Sequence, residues 1–321
     1  MARFIASRLS SWIAVDWAVA TYTLGVTILA LFCARSVPRW PLLVTGHGAV
    51  LAVLLWLPAR GAQWEQPHSA DPSWRRGPRR LVRFLRYTYP ALLLTPFFEE
   101  VQFTVNAISP SHPYWFEAHL YAADRMLFGT TPALSIAPTP APILDELMHA
   151  LYFSYYLLII GGIVMAWMGP SRAGRTPDAG FDAVMTSMMF GFFLAYVWYP
   201  FLPARGPWEN RELMSGLREF QGFLFTPLAR WIIEKAGVSG GCFPSAHVAG
   251  TWGLIVGLAA AHRRQARWVG LLAVGLGLAC VYTRYHHAVD VFAGLIVGVI
   301  GGAFGRALTR QPTRCDRSFQ E

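Results

Sequence analysis

The sequence predicts an all-α, polytopic transmembrane bundle of about eight helices, on three observations. Of its 321 residues 54% are hydrophobic and only 14% are charged, whereas a soluble domain carries about 25% charged residues. The apolar residues gather into runs of about 20, the length a bilayer-spanning helix needs. Nearly all the cationic residues are arginines clustered between those runs, Lys235 being the one lysine.

The runs fall at approximately 11–33, 40–58, 84–108, 143–168, 179–203, 246–262, 267–284 and 287–308. The third is interrupted by Glu99 and Glu100, and the sixth and seventh are short. All are too long and too continuous for the alternation of a strand. Residues 11–33 are too long for the apolar core of a signal peptide, and bulky Phe32 before Cys33 argues against a lipoprotein site, so the segment reads as a retained anchor. Cys33, Cys242, Cys280 and Cys315 are scattered, which indicates neither a disulfide framework nor a zinc site.

Orientation follows from the arginines. With the N-terminus, 59–86, 169–178, 262–267 and the C-terminal tail on one side, that side holds 18 of the 27 Lys and Arg residues. Arg75, Arg76, Arg79 and Arg80 are among them, and the bias marks this side as cytoplasmic. The net charge of +9 then suits an anionic membrane surface, and no nucleic-acid partner is expected. On the opposite side, 109–142 carries Tyr114, Trp115, Phe116, Tyr121 and Phe128, spaced to lie in the interface. The pairs Gly253/Gly257, Gly294/Gly298 and Gly301/Gly305 have the spacing of close helix packing, within the chain or between two copies in a homo-oligomer.

Chemistry concentrates in two segments at the same expected membrane face. Cys242-Phe243-Pro244-Ser245-Ala246-His247 opens the sixth helix, and Thr283-Arg284-Tyr285-His286-His287-Ala288-Val289-Asp290 links the seventh to the eighth. A helix start offers unpaired N–H groups and partial positive charge to an anion. Ser245 adds a hydroxyl there and His247 an imidazole in the first turn. His286 and Asp290 are four apart and share a face if the helix has begun by His286, so the carboxylate can fix the ring's tautomer and leave the other nitrogen free to attack. Arg284 adds a cation for phosphate. Singly, a histidine at a helix end is an interfacial residue and an aspartate in a first turn a dipole stabiliser. The two motifs together favour chemistry.

Pro-Ser-x-His followed about 40 residues later by His-x-x-x-Asp resembles the type 2 phosphatidic acid phosphatase superfamily. The resemblance implies a six-helix phosphatase-like core over 84–310, preceded by an extra helix pair and basic cytoplasmic loop (1–83) and followed by a tail (311–321). It implies a phosphohistidine mechanism without metal or cofactor. His286 would be the nucleophile, Asp290 its orienting partner and His247 the acid for the leaving group, with Ser245 and the Ala246 N–H on the phosphate. Ala246 stands where the family commonly has Gly, and Cys280 where its third motif has Arg, so Arg284 matches by chemistry rather than spacing. His287 competes with His286 but lacks the spacing to Asp290. The first motif is absent, Arg205 being the nearest candidate for a phosphate-binding arginine or, equally, an interfacial anchor.

Arg-x-His-x-x-x-Asp, Phe-Pro-Ser-x-His and Asp124-Arg125-Met126-Leu127-Phe128-Gly129 before Pro132 resemble the inositol phosphorylceramide synthase-like branch. That branch implies an integral membrane enzyme that draws on a lipid phosphate or phospholipid donor and passes the group to water or an alcohol, as hydrolase or transferase. A bacterial inner membrane with an extracytoplasmic site is the expected setting. The alternatives are a polyprenyl diphosphate phosphatase, or a non-enzymatic transporter or scaffold with Glu99, Glu100 and Arg205 lining a pathway. Asp16 and His47 either reach the membrane surface or pair across helices, and Tyr155 and Tyr156 read as packing residues.

Overall fold

A computed structural model describes residues 8–65, 76–105, 107–108, 115–168 and 177–309. Arg75, Tyr114, most of the expected loop at 169–178 and the tail at 311–321 lie outside them. The described residues are helical without a strand, in an all-α bundle. The helices are α1 (Ala14–Phe32), α2 (Trp40–Glu65), α3 (Arg76–Leu92), α4 (Leu94–Glu99), α5 (Val101–Thr104), α6 (Glu117–Phe128) and α7 (Pro132–Ser135). They continue with α8 (Pro142–Met168), α9 (Pro177–Trp198), α10 (Arg211–Ser215), α11 (Phe225–Ala236), α12 (Ala246–Ala261), α13 (Arg263–Tyr282) and α14 (Ala288–Leu308).

Six helices among the described residues are long and apolar enough to cross a membrane: α1, α2, α8, α9, α13 and α14. The apolar helix α12 has 16 residues, a length of about 24 Å against a hydrocarbon core of about 30 Å. The expected third span at 84–108 is the one that differs. Helix α3 contains Pro90 and ends at Leu92, and the chain turns at Leu93 and again at Glu100 to give the short α4 and α5. Apolar character alone extends the run; the proline and the two glutamates break it.

Helices α9, α12 and α14 pack pairwise around one another and form the centre. Of the Gly180–Trp198 span 78% is buried, against 11% of Trp40–Pro58, so α9 is the axis and α2 lies at the periphery. Met185, Met188, Met189 and Phe192 of α9 are fully buried. Lipid is as apolar as a leucine side chain, so such helices associate through close packing rather than through expulsion from water. The glycine pairs supply the closeness. A Cβ on Gly294 would lie 2.6 Å from the Ser245 carbonyl, and one on Gly298 2.4 Å from that of Ala249, both on α12 or its cap. Gly253 meets Ser187, while Gly301 and Gly305 meet Phe190 and Ser187 of α9. All these contacts are within the chain.

Buried polar pairs fasten the N-terminal helices to one another. Asp16 accepts from Arg86 Nη1 at 2.9 Å and from the Tyr89 hydroxyl at 2.6 Å. Glu100 accepts from Tyr22 at 2.9 Å and holds His47 Nε2 at 2.8 Å, while His47 Nδ1 meets Thr27 Oγ1 at 2.8 Å. Of the alternatives for Asp16 and His47, pairing across helices is the one found. A polar group away from water is costly unless satisfied, so each pair also fixes a helix rotation.

Candidate active site

The two segments meet at one end of the central trio. Ser245, fully buried, is the N-cap residue of α12, and its N–H donates to the Asp290 carbonyl at 3.3 Å. The chain between α13 and α14 folds back on α13: the Tyr285 and His286 N–H groups both donate to the Cys280 carbonyl, at 3.2 and 3.0 Å. That turn holds Arg284 at φ 66°, a left-handed conformation that bulky side chains adopt only when their surroundings impose it.

His286 Nδ1 donates to Asp290 Oδ2 at 2.6 Å, which places the proton on Nδ1 and the lone pair on Nε2. Around Nε2 stand Ser245 Oγ at 3.3 Å and His247 Nδ1 at 3.4 Å. The other nitrogen of His247 faces the Tyr152 hydroxyl at 3.2 Å, and the Tyr155 ring lies 4.5 Å from its ring. Asp290, Ser245, His286 and His247 thus converge on one point, and the Ala246 N–H stands at the start of the same helix. His287 turns away: its ring packs edge-on against Tyr121 at 4.6 Å, and its Nε2 lies 3.4 Å from the Arg205 carbonyl.

The two arginines are engaged elsewhere. Arg205 Nε donates to Glu117 Oε1 at 2.7 Å, and its guanidinium lies 4.8 Å from the Trp115 ring. Arg284 is 1% exposed, stacks 4.4 Å above Phe220 and donates from Nη1 to the Arg218 carbonyl at 2.8 Å, while its Nε is buried without a partner. Burial and the neighbouring charge of Arg218 hold its guanidinium below the usual arginine value. Arg218 in turn grips Asp145 bidentately, at 2.7 Å for each bond, and Asp145 also accepts from Tyr282 at 2.7 Å. The segment that carries Phe220 is therefore held under Arg284 by a buried ion pair.

A cavity of about 420 Å³ opens from the histidines. His247, His286, Cys242, Ala246, Trp208 and Glu209 line one part, and Leu92, Ile159, Ile160 and Ile163 another. Tyr152, Tyr155 and Tyr156 line it as well, so two residues expected as packing groups border the cavity. Burial raises the Glu209 carboxyl above the usual carboxylate range, while its bonds from Gly206 N and Ser239 Oγ oppose the shift. Glu99 borders the cavity while Glu100 is tied to His47 and Arg205 to Glu117, so the three do not share a pathway.

Sequence reasoning missed three contributors. Cys242 Sγ donates to Asp290 Oδ2 at 2.9 Å, and burial with that carboxylate pushes its thiol up. Asp124 accepts from the N–H groups of Ala288 and Val289, at 3.3 and 2.9 Å, and so caps α14 beside Asp290. Tyr152 orients His247. Asp124 stood in a quoted motif and Cys242 opened one, but neither contact is local in sequence.

These features define a polytopic membrane protein whose buried histidine–carboxylate pair faces a second histidine beside a largely apolar cavity. A family model described as the PAP2 superfamily matches residues 118–304, and the chain belongs to that superfamily. No curated protein and no solved structure matches the chain. The membership gives it a function of the lipid phosphatase or phosphotransferase type, acting on phosphate esters.

Proposed function

We propose that this chain is an integral membrane lipid-phosphate phosphatase or headgroup phosphotransferase of the inositol phosphorylceramide synthase-like kind, working through a phosphohistidine on His286. The observation that carries the reading is the line Asp290–His286–His247, with contacts of 2.6 and 3.4 Å. Nε2 of His286 attacks phosphorus, forming the N–P bond as the P–O bond to the lipid leaving group breaks. Asp290 stabilises the positive charge that develops on the ring. His247, protonated on both ring nitrogens once the phosphate is bound, gives its Nδ1 proton to the leaving oxygen and keeps the Nε2 proton, which the Tyr152 hydroxyl accepts. His247 then takes a proton from water or an alcohol, whose oxygen attacks phosphorus and releases His286.

Ser245, the Ala246 N–H and the N-terminus of α12 hold the phosphoryl oxygens. Arg284 and Arg205 are the cations expected for the phosphate, and to touch it Arg284 must leave the Arg218 carbonyl and Arg205 must leave Glu117. The Leu92–Ile163 part of the cavity takes the apolar chain of the donor. The arginine distribution supports a site on the extracytoplasmic face of a bacterial inner membrane.

The test is reconstituted protein with labelled phosphatidic acid, phosphatidylinositol or polyprenyl diphosphate, each with and without inositol or ceramide as acceptor. Free phosphate as sole product assigns a phosphatase, and a labelled alcohol a transferase. Label trapped on the protein should be acid-labile, alkali-stable and absent in His286→Ala. A His286→Ala chain that still turns over every donor refutes the mechanism.

A further inference from the structure

Behind the reacting nitrogen of His286 lies a second constellation. Cys242 Sγ, His286 Nδ1 and Asp290 Oδ2 lie within 4.8 Å of one another, and all three residues are buried. The separations are 3.5 Å for S···N, 2.9 Å for S···O and 2.6 Å for N···O. A tetrahedral zinc ion, with Zn–S about 2.3 Å and Zn–N and Zn–O about 2.0–2.1 Å, sets S···N near 3.6 Å and N···O near 3.3 Å. The sulfur and the imidazole already stand at the right distance. The carboxylate has only to retreat by about 0.7 Å at the bond lengths of such a site. Asp290 Oδ1 is buried without a partner, so a turn of the carboxylate can bring a second oxygen to the ion.

We propose that Cys242, His286 and Asp290 form an inhibitory site for a thiophilic divalent cation such as Zn²⁺. Charge supports it: a thiolate and a carboxylate neutralise a dication, so the occupied site is neutral overall. Access supports it too, since Cys242 and His286 both line the cavity. On binding, the thiol proton leaves to solvent. Nδ1 must give its lone pair to the metal, so the proton it carried passes to Nε2. The nitrogen that attacks phosphorus then holds a proton instead of a lone pair, and the lipid space stays empty. Inhibition should lower maximal velocity and leave KM nearly unchanged.

The binding claim stands apart from the proposed reaction; the inhibition rests on it. The test titrates the purified full-length chain with Cd²⁺ and follows thiolate-to-cadmium charge-transfer absorbance. One equivalent is expected in the native chain and in a C33A/C280A/C315A chain, which keeps Cys242, and none in Cys242→Ala or Cys242→Ser. In parallel, Zn²⁺ inhibition is referred to each chain's own activity in chelator, and Cys242→Ala should need at least about tenfold more Zn²⁺. A native chain without the band, a band that survives loss of Cys242, or equal Zn²⁺ sensitivity overturns the proposal. Should no donor lipid turn over, the cadmium titration still reads, so failure of the site and failure of the reaction are told apart.

Discussion

The carboxylate of Asp124 accepts the backbone N–H of Val289 at 2.9 Å, across 165 residues of sequence. Helix α14 starts with no side-chain cap of its own from His287. Asp124 satisfies two of its open N–H groups from α6, and so sets where the first turn, with Asp290, stands against His286. Asp124→Ala should cost about 0.5–2 kcal/mol, the range for a lost cap, seen as a lower unfolding temperature in detergent. It should reduce kcat more than KM. Asp124→Asn keeps an acceptor oxygen and should recover most of both; equal loss in the two variants would argue against capping.

The two histidines separate by leaving group. With a natural lipid donor, His247→Ala should lose turnover by about 10²–10⁴-fold, as for a general acid–base group. With an aryl phosphate whose phenolate leaves unaided, the same variant should still label His286 and then stall, because no base activates the acceptor. A burst of phenol without steady turnover is the expected trace. Steady turnover at the native rate would remove His247 from the mechanism.

The ion pair under Arg284 is structural in origin and functional in consequence. Asp145 is fully buried and Arg218 binds it with two bonds of 2.7 Å. Removing one partner of such a pair costs about 3–5 kcal/mol. Asp145→Ala and Arg218→Ala should therefore unfold at clearly lower temperatures, and Arg218→Lys should also fall below the native chain, because an ammonium cannot reproduce the fork. Equal stability of Arg218→Lys and the native chain would contradict this account.

Helix separation should propagate to the site. A methyl group on Gly298 would meet the Ala249 carbonyl at 2.4 Å, a backbone atom that no rotamer change can remove. Gly298→Ala must push α14 from α12, and with it His286 from His247. Overpacking of this sort costs about 1–3 kcal/mol, and activity should fall further than stability. Gly270→Ala, where nothing lies within 4 Å, is the matched control and should be neutral.

His287 carries a pH dependence of stability. Burial lowers its pKa below the ordinary 6.5, with the carboxylates of Asp290 and Asp124 and the Arg205 carbonyl opposing. Below 6.5 the unfolded chain thus binds a proton that the folded chain refuses. Its contribution is full above that value and is lost as pH falls towards the depressed folded value. Unfolding temperature should decline over that acid window in the native chain and less steeply in His287→Asn. Parallel curves would show that another group titrates.

What was readable in the sequence was local. The apolar runs placed six of the long helices, since a hydropathy sum over about 20 residues needs no partner. It misjudged the ends, because α2 runs to Glu65 where the polar residues stop the sum but not the helix. It also carried a span through residues 84–108, where Pro90 and the turns at Leu93 and Glu100 break the backbone. Pro-Ser-Ala-His and His-x-x-x-Asp were legible because their members lie close in the chain, although His286 precedes α14 by two residues and reaches Asp290 from the turn rather than from a shared helix face.

The sequence alone thus determined a helical membrane chain with two motifs capable of phosphoryl chemistry. Tertiary structure alone decided which groups meet: His247 with His286, Cys242 with Asp290, Asp124 with α14, and Arg284 over Phe220 rather than in the open. Composition and spacing report what each segment can do by itself. A buried polar atom finds its partner only after helices have chosen their rotation, and that choice is made by close packing between residues far apart in the chain.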